Sequence, residues 1–164
     1  MKEVNFDINT LLEFIWKAHQ NTYAAPADLR NLYRNKTPML QGFVEYRFVD
    51  GDWRYHDAYA GRTWPPGKEI IFYKNMPVWC MSYQGKVSSI MEEKEVTSIY
   101  SFLKNALRAS DVKIPFRGPK RFLEGDLEYT FDFVCDYSYF VGRESVRKQG
   151  VEVFFQDIMG SLIK

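Results

Sequence analysis

Apolar residues recur at the spacing of an α-helix in two stretches of the chain. Steps of three or four residues place the apolar side chains on one helix face. The first stretch predicts a helix from about residue 8 to about residue 22, and Thr10-Leu-Leu-Glu13 near its start has the form of a capping box. The second predicts a helix with Arg108 in its last turn, where a cation suits the helix dipole. The apolar positions are Ile8, Leu11, Leu12, Ile15 and Ala18 in the first stretch, and Val96, Ile99, Tyr100, Leu103, Ala106 and Leu107 in the second.

Short runs rich in aromatic and β-branched residues follow each predicted helix and predict strands. Val49–Trp53 and Tyr73–Pro77 are hairpin-length turns between such runs, so we expect the strands to pair antiparallel. The expected strands are about 43–49, 53–60, 69–74 and 77–83 in the first half, and about 120–124, 127–140, 144–148 and 151–158 in the second.

The two halves of the chain resemble each other. Val49–Tyr59 returns 74 residues later as Leu123–Phe133, and Gly67–Val87 returns 75 residues later as Gly142–Leu162. The helices align at an offset of 88. We therefore predict an α+β fold in which a helix-plus-antiparallel-meander unit is duplicated with pseudo-twofold symmetry. The prediction is one domain, 1–164, made of repeats at about 8–90 and about 93–164.

An insertion distinguishes the first half from the second. It adds about 14 residues between the helix and the second strand, within Tyr23–Gln41, and it contains Arg30, Arg34 and Lys36. Long connections in compact domains are often functional. The alternative is a helical turn at Ala27–Tyr33 that closes one end of the core.

The third predicted strand differs between the halves as well. Ile70–Tyr73 is apolar on both faces, which requires cover on both sides, whereas Ser145–Lys148 is polar. One side of the apolar strand would face a helix, and the other would face the opposite half, a ligand or a second copy of the chain in a homodimer. We expect the polar strand to be a solvated edge protected by its charges.

Asp57 interrupts an aromatic strand face at the position where the second half has Phe131. A carboxylate among aromatic rings must be hydrogen-bonded, paired or raised in pKa. It would suit a cationic or hydroxyl-bearing ligand, or act as a general base. The alternative is a structural aspartate that anchors a loop amide or faces water.

An aromatic pocket around Asp57 is the favoured functional hypothesis. Aromatic residues make up 17% of the chain, and ligand pockets are largely apolar with a few placed polar groups. We expect a non-enzymatic small-molecule-binding or sensor module without a cofactor. The predicted ligand-binding residues are Trp53, Tyr55, Asp57, Tyr59, Trp79 and Tyr83.

An enzyme is the competing hypothesis, either a hydrolase or a metal-dependent isomerase. Such an enzyme would use Asp57, or the weak metal-ligand set His56, Glu69 and Glu144. The sequence has no phosphate-binding glycine loop, nucleophile elbow or HExxH motif. His19 lies on the apolar stripe of the first helix, where we expect a satisfied histidine at the edge of the core.

Charge and cysteine content narrow the possible partners. The net charge of +1 is far from the basic excess expected of a nucleic-acid-binding protein. The N-terminal residues are too polar for a signal peptide, and no apolar run approaches roughly 18 residues. The two cysteines, Cys80 and Cys135, have neither CxxC spacing nor a disulfide framework. We expect a soluble, cytoplasmic protein without membrane or nucleic-acid partners.

Four segments resemble a prokaryotic family known only as a domain of unknown function. They are Asn21–Ala24, Gly51–Asp57, Pro77–Gly85 and Pro115–Pro119. Members of that family are sometimes found behind an Xre-type helix-turn-helix. The resemblance extends over nearly the whole chain and implies no catalytic residues. It implies that a regulatory role here would be that of a stand-alone sensing domain.

Overall fold

The computed structural model describes residues 5–88 and 91–164, and there the chain forms helices packed on one antiparallel sheet. The helices are α1 (Ile8–Asn21), α2 (Ala27–Tyr33) and α3 (Glu93–Arg108). The strands are β1 (Val44–Asp50), β2 (Trp53–Tyr59), β3 (Gly67–Tyr73), β4 (Met76–Val87), β5 (Arg121–Glu124), β6 (Leu127–Asp136), β7 (Tyr139–Lys148) and β8 (Val151–Leu162). No helix in the described ranges is long and apolar enough to cross a membrane.

The eight strands form a single sheet in the order β1-β2-β3-β4-β8-β7-β6-β5. All pairings between neighbours are antiparallel, as the hairpin-length turns predict. The chain therefore builds one four-stranded meander, passes through α3, and builds a second one. The two meanders join in the middle of the sheet, where β4 pairs with β8.

The hairpin turns depend on backbone conformations with positive φ. Gly51 has a φ of 58° between β1 and β2. Between β3 and β4, Lys74 and Asn75 have φ values of 47° and 67°. Two consecutive residues with positive φ are typical of the type I′ turn, whose twist matches that of the flanking strands.

The helices cover one face of the sheet. In α1, Phe14 packs on Phe48 and Trp53, with ring centroids 5.8 and 5.5 Å apart. In α3, the ring of Tyr100 lies 5.9 Å from that of Phe154 on β8. The aromatic richness of the sequence is therefore used largely to fill the layer between helices and sheet, where each ring buries a large apolar area.

The predicted bounds of α1, about residue 8 to about residue 22, agree with the structure, but the predicted capping box at Thr10–Glu13 is wrong. The helix begins at Ile8, after Asp7, whose carboxylate accepts hydrogen bonds from the backbone N–H groups of Asn9 (2.7 Å) and Thr10 (3.2 Å). An aspartate in this position satisfies N–H groups that have no partner within the helix. Thr10–Glu13 therefore lies inside the helix and does not form its cap.

Two predictions about the second meander are also wrong. The expected strand 127–140 is two strands, because the Asp136 carboxylate accepts the backbone N–H of Ser138 (2.8 Å) and stabilises a tight turn between β6 and β7. The expected solvated edge 144–148 belongs to β7, which lies between β6 and β8. Its Glu144 and Ser145 are buried, Glu144 pairing with the buried Arg117 and Ser145 donating a hydrogen bond to Glu152.

The insertion forms α2 and a segment along the edge strand β1, which confirms the predicted helical turn. The buried Glu45 of β1 fixes this segment, accepting hydrogen bonds from the backbone N–H of Met39 (2.7 Å) and the side-chain amide of Asn35 (2.9 Å). Burial alone would raise the pKa of Glu45, but these hydrogen bonds and those from His56 and Leu40 lower it to about 2.

The apolar strand 70–73 lies within β3, and its two faces differ in burial. Ile71 is buried on the helix-covered face. On the opposite face, Phe72 lies beneath the guanidinium of Arg54, 5.0 Å from the ring centroid. Dimerisation through this strand stays a prediction.

Candidate functional site

A cavity of about 470 Å³ lies on the helix-covered face of the sheet. This volume falls within the range of small-molecule sites. The sheet supplies the floor, and α3 with the connection between α1 and α2 supplies the walls. The residues used below that line it are Tyr23, Arg30, Asp57, Tyr59, Arg62, Glu69, Tyr83, Tyr100, Lys104, Arg117, Phe154 and Gln156.

Two carboxyl groups lie side by side in the floor. Asp57 of β2 is directly opposite Glu69 of β3, so both side chains point to the same face. Asp57 is 1% exposed, and its Oδ1 accepts a hydrogen bond of 2.7 Å from the Tyr83 hydroxyl. Burial, followed by the negative charge of Glu69, raises the pKa of Asp57 well above its ordinary value. A carboxyl group in the protonated form can donate a hydrogen bond to a ligand.

Gly67 makes room for the Tyr83–Asp57 hydrogen bond. In the strand register, Gly67 lies between Tyr59 and Tyr83. A Cβ at this position would be 2.2 Å from the Tyr83 ring. The ring therefore lies across the bare backbone of β3, and this path carries its hydroxyl to Asp57.

Arg117, in the loop after α3, connects the carboxylates of the two meanders. Its Nε donates to Glu144 Oε2 at 3.1 Å, and its Nη2 donates to Glu144 Oε1 at 2.5 Å. Its Nη1 lies 3.8 Å from Glu69 Oε1. Burial alone would lower the pKa of Arg117, but the charge and hydrogen bonds of Glu144 raise it above its ordinary value. The guanidinium therefore stays charged beneath the cavity.

Glu69 has a second partner in α1. His19 Nε2 lies 2.6 Å from Glu69 Oε2, and both residues are buried. The expectation of a satisfied histidine at the core edge agrees with this contact. Glu69 is thus held from both sides, by His19 and by Arg117, while the adjacent Asp57 has the neutral Tyr83 as its hydrogen-bond partner.

Tyrosines form the walls of the cavity. Tyr23 and Tyr59 pack edge to face at 5.8 Å, and the Tyr100 hydroxyl donates to the carbonyl oxygen of Arg62 at 2.5 Å. Burial raises the pKa of Tyr100 to about 12, and the pKa values of Tyr23 and Tyr59 are raised as well. These phenols are therefore neutral at physiological pH and offer apolar ring faces with polar tips.

Lys104 and Arg30 add positive charge to the cavity wall. The Nζ of Lys104 on α3 lies 5.0 Å from the centroid of the Tyr23 ring. Burial, followed by the charges of Arg30 and Arg108, lowers the pKa of Lys104 to about 8. Arg30 of α2 also lines the cavity, so the insertion in the first half contributes a charged group to its wall.

The cavity brings together three of the six predicted ligand-binding residues, Asp57, Tyr59 and Tyr83. The other three, Trp53, Tyr55 and Trp79, are buried in the core beside it. Trp53 stacks on Phe14 of α1, and Tyr55 packs against His19 at 5.7 Å. The Trp79 indole N–H donates to the carbonyl oxygen of Tyr137 at 3.1 Å. These three residues lie outside the cavity because α1 and the β6–β7 turn cover that part of the sheet.

The weak metal-ligand set His56, Glu69 and Glu144 is not assembled in the structure. His56 points to the face opposite Asp57 and Glu69, where its Nε2 is 3.3 Å from Glu45 Oε2. Glu144 is paired with Arg117. Over residues 5–88 and 91–164, no three His, Cys, Asp or Glu side chains are placed to share a metal ion.

Sequence reasoning missed Arg117, Lys104, Tyr23 and Tyr100. Arg117 lies in Pro115–Pro119, one of the segments that carry the family resemblance, and that resemblance implies no role for it. The signal for it was indirect: Glu69 and Glu144 occupy positions matched at the repeat offset of 75 residues, and two carboxylates buried close together require a buried cation. Lys104 gave no signal, because a lysine in an amphipathic helix is usually solvated.

Comparison with known proteins gives one match. A family model described as a domain of unknown function, DUF5680, matches residues 57–163. Neither the curated proteins nor the solved structures include a match.

Proposed function

The chain belongs to the DUF5680 family of domains of unknown function, and we propose that it is a small-molecule-binding or sensor module. Its ligand would occupy the cavity above Asp57. The resemblance to a prokaryotic family sometimes fused to a helix-turn-helix supports a sensing role. The prokaryotic origin and the fusion stay predictions.

The observation that carries this proposal is the placement of Asp57. Burying a carboxyl group costs free energy, and the counterpart of Asp57 in the second half is the apolar Phe131, so the fold alone does not require a carboxyl group there. Asp57 faces a cavity of ligand size and has the Tyr83 hydroxyl as its hydrogen-bond partner. A rigid, largely aromatic pocket with a few convergent polar groups is the usual form of a small-molecule site.

A thermal-shift screen of metabolites followed by affinity measurements tests the proposal. We expect Asp57→Ala and Tyr59→Ala each to weaken binding of a ligand that occupies the cavity by about tenfold, equivalent to one lost hydrogen bond or aromatic contact. Asp57→Asn, which keeps the shape, serves as a second variant if Asp57→Ala does not fold. Ser82→Ala is the matched control, because Ser82 adjoins Tyr83 on β4 and points to the exposed opposite face. Unchanged affinity for every identified ligand in the Asp57 and Tyr59 variants would refute the assignment.

An enzyme using Asp57 is the second candidate. The raised pKa of Asp57, caused by burial and by Glu69, favours a protonated carboxyl beside a second carboxyl that His19 and Arg117 hold. Neighbouring carboxyls with different environments are a common basis for general acid–base catalysis. Mass spectrometry of each ligand after incubation with the protein discriminates the two functions. Turnover that disappears in Asp57→Asn with binding retained favours the enzyme, and a ligand recovered unchanged favours the binding module.

We also propose that the two meanders arose by internal duplication with pseudo-twofold symmetry. Matched residues support this: Glu69 and Glu144 both contact Arg117. Gly85 and Gly160 match as well, and each permits a close approach of a neighbouring strand or ring. Superposing α1 with β1–β4 on α3 with β5–β8 in an experimental structure tests the proposal. The expected result brings strand residues 74 or 75 apart and helix residues 88 apart into coincidence, and a best fit at other offsets contradicts it.

A further inference from the structure

Three basic residues lie together at one wall of the cavity. We call Arg30, Lys104 and Arg108 the basic cluster. Arg30 and Lys104 line the cavity, and Arg108 is close enough for its charge to act on Lys104. All three residues are partly buried. Three cations held near one another without counter-charge repel each other, and partial burial reduces the screening by water.

The basic cluster has neutral partners in the described part of the chain. An Arg30 Nη1 donates to the carbonyl oxygen of Ala25 at 3.2 Å, and Arg108 Nη1 donates to that of Ala24 at 2.6 Å. Lys104 lies over the ring of Tyr23. None of the three takes part in a salt bridge with a described residue.

The other two cations of the cavity are different. Arg117 is paired with Glu144, and Arg62 donates to Glu93 at 2.7 Å. The missing counter-charge is therefore specific to the basic cluster and is not a general property of the cavity. A ligand that brings one negative charge to this place would relieve the repulsion among the three cations.

We propose that the basic cluster binds the anionic group, carboxylate or phosphate, of a small organic ligand. The body of the ligand would lie along Tyr23, Tyr59 and Tyr100, and its far end would reach Asp57 and Tyr83. The floor carboxyls fix the orientation, because Glu69 beside Asp57 repels an anion placed there. This inference rests on the proposed function and names the chemical class of its ligand.

If Lys104 contacts the bound anion, binding changes the protonation of its amine, which a purely structural role of Lys104 would not do. Burial and the neighbouring arginines lower its pKa to about 8, so part of the population is neutral at pH 8. An anion bound beside it favours the charged form, and binding at pH 8 therefore takes up about half a proton. Isothermal titration calorimetry in buffers of different ionisation enthalpy measures this uptake directly.

The experiment titrates the full chain at pH 8 with 4-hydroxybenzoate, phenyl phosphate and the neutral 4-hydroxybenzamide, in HEPES and in Tris. We expect at least one anion to bind about tenfold more tightly than the amide, with proton uptake. The tighter of the two anions identifies the group as carboxylate or phosphate. In Lys104→Met the uptake disappears and the preference falls, because only Arg30 and Arg108 remain, and in Lys104→Arg the preference returns without the uptake. Lys113→Met, which changes an exposed lysine, should behave as the unmodified protein.

Equal affinity for the anions and the amide, or a preference that is unchanged in Lys104→Met, overturns the anion proposal but not the proposal that the cavity binds a ligand. If neutral metabolites bind in the screen and neither anion binds, the anion proposal is likewise overturned and the proposed function stands. If neither the anions, the amide nor any screened metabolite binds, both the anion proposal and the proposed function fail.

Discussion

Asp57 and Tyr83 are coupled by a hydrogen bond from the Tyr83 hydroxyl to the Asp57 carboxyl group. The phenol donates to Asp57 Oδ1 at 2.7 Å in a place from which water is largely excluded. Burial and the adjacent Glu69 both oppose ionisation of Asp57, and their combined effect on its pKa exceeds that of Tyr83 and Arg117 in the other direction.

A raised pKa has a definite consequence for stability. The unfolded chain loses the Asp57 proton at the ordinary pKa, whereas the folded protein retains it to higher pH. The contribution of Asp57 to stability is therefore complete below the ordinary pKa and decreases as pH rises towards the folded-state pKa. Asp57→Asn mimics the protonated form and keeps an acceptor for Tyr83, so its stability relative to the unmodified protein should increase from pH 4 to pH 8.

Urea unfolding across that pH range measures the difference. Asp132→Asn is the control, since Asp132 is exposed on β6, and it should show no comparable trend. A stability difference between Asp57→Asn and the unmodified protein that is constant with pH, or that falls as pH rises, would show that Asp57 is ionised in the folded state.

At the scale of elements, the site depends on how closely β3 approaches Tyr83. Gly67→Ala would place a Cβ 2.2 Å from the Tyr83 ring without requiring a positive φ. We expect a loss of about 1–3 kcal/mol in the free energy of unfolding, the usual cost of overpacking. The cause is the ring, so Gly67→Ala combined with Tyr83→Ala should cost less than the sum of the two single changes. Additive effects in this double-mutant cycle would contradict the account.

The sequence predicted a helix or strand, and the residues on each of its faces, wherever a local pattern of apolar residues determines them. The periodicity of Leu11, Ile15 and Ala18 predicted α1, and alternation placed Asp57 and Tyr59 on one face of β2. The boundary between β6 and β7 was not predicted, because the turn at Asp136–Ser138 lies within an aromatic-rich run that resembles one continuous strand. Local pattern also says nothing about which strands end up adjacent, so the interior position of β7 was mistaken for an edge.

The candidate site was predictable only in part for a related reason. Strand alternation groups Trp53, Tyr55, Asp57 and Tyr59 together, but it does not tell which of them a helix covers. α1 packs over the first two, and the cavity opens over the last two. The cationic residues come from other elements, and only the tertiary structure brings them to the strand.

At the scale of the whole molecule, Arg117 connects the two meanders from beneath the cavity. It pairs with Glu144 of β7 and approaches Glu69 of β3, and all three residues are buried. Breaking a buried ion pair leaves a carboxylate without its counter-charge, which is far more costly than losing a pair at the surface.

Arg117→Met should therefore lower the free energy of unfolding by about 3–5 kcal/mol. Arg121→Met, which removes the exposed partner of Glu128, should lower it by no more than about 1 kcal/mol. Chemical denaturation of both variants checks the comparison, and combining Arg117→Met with Glu144→Leu should recover part of the loss. Equal, small effects of the two arginine changes would mean that Arg117 does not hold the meanders together.

A crystal structure of the protein with the tightest ligand from the metabolite screen tests the central claim most directly. The account predicts that the ligand lies in the cavity, with a polar group within hydrogen-bonding distance of Asp57 or Tyr83 and an anionic group beside Lys104. A ligand bound elsewhere, with the cavity closed by the side chains of Tyr23, Tyr59 and Tyr83, would contradict it.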